Sequence, residues 1–420
     1  MRGIHVALVA LFATFGANAF DSDHPDHPLV VSDNLTLSDV VREATVRAGT
    51  PELLTAKLAE ADAMAREASL ALNAPPSLSV RYNGDAPGED RGLHEIETRL
   101  MMALKWPGLR AAQHRVADIA ATLATSDSAA GRWRIAGAAR EVLWEYRTAL
   151  DEHDAARSAL TLAEDVARNV AARYTAGDLA RSDSLLADSE RLARARDLAA
   201  ARVRLLDVER RYTALTGLDE VPASIDEIQQ TASGLEQHPL LLAADMHLTR
   251  ARENVGVQRY AGRTAPQLAI GPRWERGASS DPFADSLGFE LSLPFGSAPY
   301  SALDTATAER EVTEALIARR NMSRELELAL HEAEHDLLAT RARRENIDAW
   351  ATLATERETI AERAFTAGET SLTEFLRIRL EAGAARRAAV VAKDQVGQAI
   401  ARYNQAIGLI PGGYTETPSR

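Results

Sequence analysis

The sequence predicts a mainly helical fold with a small β part, in which one unit is written twice. Arg173-Tyr174-Thr175-Ala176-Gly177 returns 191 residues later as Ala364-Phe365-Thr366-Ala367-Gly368, and the match runs without a gap to Gly217-Leu218 and Gly408-Leu409. That period exceeds the roughly 20–50 residues of solenoid repeats, so each copy is a large supersecondary unit. Each copy also holds a long proline-free stretch, 110–174 and 301–365, rich in Ala, Leu, Arg and Glu. Before each stretch stand two segments of alternating apolar and polar residues.

Residues 1–19 read as a cleaved secretory signal: Arg2 gives the positive start, Ile4 to Phe15 the apolar stretch, and Ala17-Asn18-Ala19 the small-residue cleavage pattern. Residues 20–34 are expected to form a flexible leader. It contains His24-Pro25-Asp26-His27-Pro28, whose two histidines could bind metal transiently or belong to a mobile polar segment. The first copy, 35–218, is expected to run as a helix, a β-hairpin at 76–106, a long helix at 108–174, a turn near 177 and a helix to 216. The second copy, 219–409, repeats this with a hairpin at 266–295, a long helix at 301–365, a turn near 368 and a helix to 407. Residues 410–420 form a tail.

The hairpins carry the membrane argument. Leu78, Val80 and Tyr82 alternate with Ser79 and Arg81; Ile96, Thr98, Leu100, Met102 and Leu104 alternate with Glu97, Arg99 and Ala103. In the second copy Leu268, Ile270 and Trp274 alternate with Ala269, Gly271 and Arg273, and Leu287, Phe289, Leu291 and Leu293 with Gly288, Glu290 and Ser292. Segments of about ten residues with one apolar face suit tilted strands that cross a bilayer. They also suit a soluble hairpin lying on helices. Four strands cannot close a barrel, whereas three chains supply twelve, so the membrane reading requires a trimer.

A continuous helix over 110–174 would be roughly 98 Å long at about 1.5 Å per residue. Leu160, Ala163, Ala167, Val170 and Tyr174 recur at heptad-like spacing, followed after the turn by Leu185, Leu192, Ala199 and Leu206. Such helices pair as coiled coils, and their Arg and Glu suit a hollow cylinder wet on both sides. The formal charge of −13 argues against nucleic acid as a partner. The absence of cysteine excludes disulfides, thiolate metal sites and a cysteine nucleophile. No run of eighteen apolar residues follows the signal.

With these elements in place the chain resembles the TolC-like outer membrane efflux proteins over essentially its whole mature length. The sharpest shared feature is Arg-aromatic-x-x-Gly six residues before an acid: Arg173-Tyr174-Thr175-Ala176-Gly177 with Asp183, and Phe365-Thr366-Ala367-Gly368 with Glu374. The resemblance implies a homotrimer whose twelve-stranded outer membrane barrel continues into a helical tunnel across the periplasm. It implies export together with a periplasmic adaptor and an inner-membrane transporter of the RND or ABC type, with no cofactor. It also places Gly177 and Gly368 at the periplasmic tip and makes Asp183, Leu185, Glu374 and Leu376 candidate adaptor contacts. Helix capping is the alternative role for the two acids. The family's acidic pair is not reproduced, because Arg377 stands three residues after Glu374. Lys105-Trp106-Pro107-Gly108-Leu109-Arg110 is similar to the heavy-metal branch; metal cations, drugs and other small solutes all remain open as cargo.

The rival signal is His331-Glu332-Ala333-Glu334-His335, which matches the zincin pattern of two histidines one helical turn apart around a glutamate base. It lies within a long charged helix, and the repeat-related positions of its histidines hold Arg140 and Trp144. A solvated helix face is the competing explanation, and a secreted zinc metalloprotease is the corresponding alternative function. A periplasmic coiled-coil protein without a pore is the third. No Gly-Lys-Ser/Thr loop or Gly-x-Ser-x-Gly elbow is present, so no catalytic residue is assigned and any transport energy must come from a partner.

Overall fold

A computed structural model describes residues 29–412 except 87, 89, 90, 233, 261 and 297. The expected signal, His24, His27 and the last eight residues of the tail lie outside this set. In chain order the elements are β1 (Val30–Ser32), α1 (Leu37–Arg47), α2 (Thr50–Ser69), β2 (Ser77–Gly84), β3 (His94–Ala103), α3 (Leu109–Thr175) and α4 (Arg181–Thr216). The second copy follows as β4 (Glu220–Pro222), α5 (Pro239–Gln258), β5 (Gln267–Arg276), β6 (Ala284–Ser292), α6 (Ala298–Thr366) and α7 (Leu372–Ala406).

Helices α3 and α6, of 67 and 69 residues, are each about 100 Å long. Near the sheet the helices lie side by side in the order α2, α3, α5, α6; toward the opposite end the order is α4, α3, α7, α6. The four long strands form one antiparallel sheet in the order β2-β3-β5-β6. Each of its strands adjoins a helix of the same lateral rank, so the sheet continues the helical layer.

Two features depart from the expected layout. The first helix is broken into α1 and α2, because Gly49 adopts a left-handed φ of 70° and Pro51 opens α2. The corresponding α5 is one helix. Residues 30–32, expected within a flexible leader, form β1 in parallel register with β4, Val31 opposite Val221.

The main core lies where β1 and β4 meet the middle of α3: Val40, Val41, Leu143, Val208, Tyr212 and Val221 pack together. The Tyr212 hydroxyl donates to the Glu220 carbonyl at 2.7 Å. Beside this core the segment joining the copies is tied down by buried charge. Arg140 on α3 forms two 2.8 Å bonds to the Glu227 carboxylate and donates to the Gln405 side chain and, at 3.0 Å, to the Leu409 carbonyl. Asn404 holds the same segment through Glu227, the Ile228 carbonyl and the Gln230 amide. Close approach of α3 and α7 is set by Gly397, where an added Cβ would stand 2.1 Å from the Trp144 ring.

Candidate membrane-spanning sheet and helical tip

The register sorts the sheet into two faces. Leu78 opposes Leu100, Leu100 opposes Ile270 and Ile270 opposes Phe289; Met102, Leu268 and Leu291 form the next row. This apolar face is bare: Val80 is 68% exposed, Leu287 73% and Phe289 68%. Among the described residues no helix makes more than marginal contact with the sheet. A soluble hairpin packed on helices would bury these side chains, so that alternative has no support in the packing. Exposed aromatics flank the apolar band, with Tyr82, Trp274 and Phe283 toward the turns and Phe295 and Tyr300 toward the helices. Aromatic girdles at both margins mark strands at a bilayer interface.

The polar face carries seven charged residues, and every one is in an ion pair. Glu97 meets Arg99 at 2.5 Å and Arg81 at 4.0 Å. Arg273 meets Glu95 at 2.9 Å and Glu275 at 2.5 Å. Arg99 reaches over β5 to Glu290 on β6 at 3.0 Å. The crossing is possible because the β5 residue at this level is Gly271, which pairs with Gly288. Pairing between β3 and β5 lapses at Thr98 and Arg99, where Pro272 has no N–H to give. β2 and β6 are open edges within the chain.

At the far end both helix pairs reverse through the same motif. Gly177 and Gly368 have φ of 88° and 78°. In the first turn the Gly177 amide donates to the Tyr174 carbonyl at 3.0 Å and the Asp178 amide to the Arg173 carbonyl at 2.9 Å. Gly368 and Glu369 repeat the pattern on Phe365 and Ala364. These are Schellman ends, which require the left-handed residue glycine supplies. Asp183 accepts from the Ala180 amide at 3.2 Å, capping α4. Ser371 caps α7 by accepting from the Glu374 amide at 3.3 Å. Glu374 instead pairs with Arg377 at 2.7 Å, and that guanidinium holds its carboxyl below the usual range.

The other two candidate tip residues differ from each other. Leu185 is 57% exposed, whereas Leu376, expected as an adaptor contact, is 8% exposed and packs with Val166, Val170 and Phe365 in an apolar cluster. The α7 face toward α3 is apolar at this point, so position 376 serves the seam between the helix pairs. Sequence reading missed a stack at that seam. Phe365 and Phe375 lie parallel with centroids 4.9 Å apart, capped by Arg173 at 5.3 Å on one side and Arg379 at 5.6 Å on the other. The signal was present: the first copy holds Arg173 where the second has Ala364.

His331 and His335 are exposed on α6 with ring centroids 4.4 Å apart. Among the described residues no group of three or more His, Cys, Asp or Glu is arranged to hold a metal. No described helix is long and apolar enough to cross a membrane.

No protein-family model and no curated protein sequence matches the chain. Solved structures do. The outer membrane protein VceC of Vibrio cholerae is similar with a TM-score of 0.70 and 16% identity, over 89% of this chain and 96% of that one. The CmeC outer membrane channel of Campylobacter jejuni gives 0.71 and 16%, over 97% and 94%. The open state of the MtrE outer membrane channel of Neisseria gonorrhoeae gives 0.63 and 15%, over 91% and 90%. The bare-faced sheet, the paired long helices and the two glycine reversals together make up the fold of the TolC-like outer membrane channels.

Proposed function

We propose that the chain is the outer membrane channel component of a tripartite efflux system, a passive homotrimeric conduit carrying small solutes, metal cations or drugs, from the periplasm to the exterior of a Gram-negative cell. The observation that supports it is the shared lateral order of sheet and helices. Both layers open on the same two sides, at β2 with α2 and α4 and at β6 with α6. A rotation that brings β6 of one copy beside β2 of the next therefore also brings α6 beside α2 and α4. Such heterologous contacts close into rings. Three copies then give twelve strands, with the apolar face on lipid and the paired charges on the lumen.

The outer helices offer the apolar residues this needs. Leu192 and Val203 on α4 and Leu338, Leu353 and Ile360 on α6 are exposed in the single chain. The tip carries Gly177, Asp183, Leu185, Gly368 and Glu374 as the docking end for a periplasmic adaptor, with Leu376 supporting it from within. Energy comes from an inner-membrane transporter of the RND or ABC type. Small shifts of α4 and α7 about the glycine turns widen the tip, and solute then diffuses outward. The test is conductance of the detergent-extracted protein in planar lipid bilayers. Steady ion conductance is expected; an assembled protein that never conducts would overturn the reading.

A further inference from the structure

We infer that the barrel level of this conduit is built to select only weakly by charge, and that the Arg99–Glu290 pair is what keeps the selection weak. The inference rests on the conduit reading and concerns what the lumen admits. The polar face holds Arg81, Arg99 and Arg273 against Glu95, Glu97, Glu275 and Glu290, a net of one negative charge per chain. What distinguishes the face is that the charges are tied together. Arg81, Glu97, Arg99 and Glu290 form one connected row from β2 to β6, and Arg273 holds Glu95 and Glu275 beside it.

The row depends on a single crossing. Arg99 and Glu290 occupy the same position of the two copies with opposite charge, and Arg99 spans β5 only because Gly271 carries no side chain there. Arg99 is shared between Glu97 of its own strand and Glu290 of the second copy, so the row alternates in sign and sums to zero. A passing ion therefore meets mainly local dipoles, with one surplus carboxylate per chain in place of the dense ring of one sign that makes a lumen strongly selective. The cargo class it fits is broad: cationic, neutral and anionic small solutes pass this level with only a modest preference for cations, so strong discrimination has to lie at the partner transporter or the tip.

Reversal potentials in planar bilayers under a dilute salt gradient test this, because screening is weak at low ionic strength. The unaltered protein is expected to be modestly cation-preferring in its cation-to-anion permeability ratio, from the one net negative charge per chain. R99Q should raise the ratio at least about two-fold, the scale of one unit charge at about 8 Å in water, since the change is repeated in each of the three chains. E290Q should lower it by a similar factor, and R99Q/E290Q should restore it, because the double change keeps the net charge. A merely structural role would reduce the number of conducting assemblies and leave the ratio unmoved. Conducting channels with the same ratio in all four proteins would overturn the inference and leave the conduit reading standing, as would a strongly selective unaltered protein whose ratio ignores position 99. No conductance from the unaltered protein would overturn both.

Discussion

Arg99 donates to Glu290 at 3.0 Å although the two lie 191 residues apart, the spacing of the internal repeat. Equivalent positions of the two copies have taken opposite charges and bind each other across the strand between them. The glycine beneath that bond is equally constrained: a Cβ at Gly271 would stand 1.7 Å from the Thr98 carbonyl oxygen. Gly271→Ala should force β3 and β5 apart and cost about 1–3 kcal/mol, as overpacking does. Gly288→Ala is the control, since the nearest atom to its added Cβ is 3.7 Å away. Thermal melting of the detergent-solubilised protein should separate the two variants.

The faces of β6 should respond oppositely to a charge. Leu291→Arg and Phe289→Arg place a cation on the bare apolar face and should cost about 2–4 kcal/mol near the bilayer midplane. Glu290→Gln, on the other face, should leave insertion intact. The yield of folded protein recovered from the outer membrane measures this, and equal yields would point to a sheet that never meets lipid.

At the tip, Gly177 and Gly368 have open space around an added Cβ, so the cost of Gly→Ala there is conformational alone. Each should cost about 1–2 kcal/mol from the left-handed backbone, with trimer assembly preserved. Charge reversal at Glu374 breaks its pair with Arg377 and should reduce export without changing assembly. An export assay alongside native gel electrophoresis checks both halves of the expectation.

Two buried groups give stability opposite dependences on pH. Asp394 on α7 is 5% exposed; burial, and then the facing Asp151 carboxyl, push it up to about 7, while Arg147 and Lys393 oppose the rise. The folded state therefore holds a proton that the unfolded state has released, and Asp394 destabilises the fold progressively as pH rises from about 4 to 7. His238 is fully buried with its Nδ1 accepting from the Leu240 amide, and burial lowers it to about 4. Here the unfolded state binds the extra proton, so its contribution is present above about 6.5 and is lost as pH falls toward 4. Asp394→Asn should therefore gain melting temperature over the parent as pH rises from 4 to 8. A gap independent of pH would contradict this placement of Asp394.

What was legible in the sequence was local. The duplication, the alternating strands and the long helices follow from period and propensity, and the break between α1 and α2 was written in Gly49 and Pro51. Partners far apart in sequence were not legible. The three-residue pairing of β1 with β4 is too short to leave a periodic signal, and nothing near Arg140 announces Glu227, 87 residues away. Leu376 becomes a candidate tip contact through the family resemblance alone, yet it packs with Val166 and Val170 of α3. The charge exchange between Arg99 and Glu290 could have been found by aligning the copies at each strand position.

A ring of three chains enclosing a pore is tested most directly by electron microscopy of the detergent-extracted mature protein. A three-fold hollow tube more than about 100 Å long, the length of α3 and α6, is the expected result. A compact monomer without a central channel would contradict it.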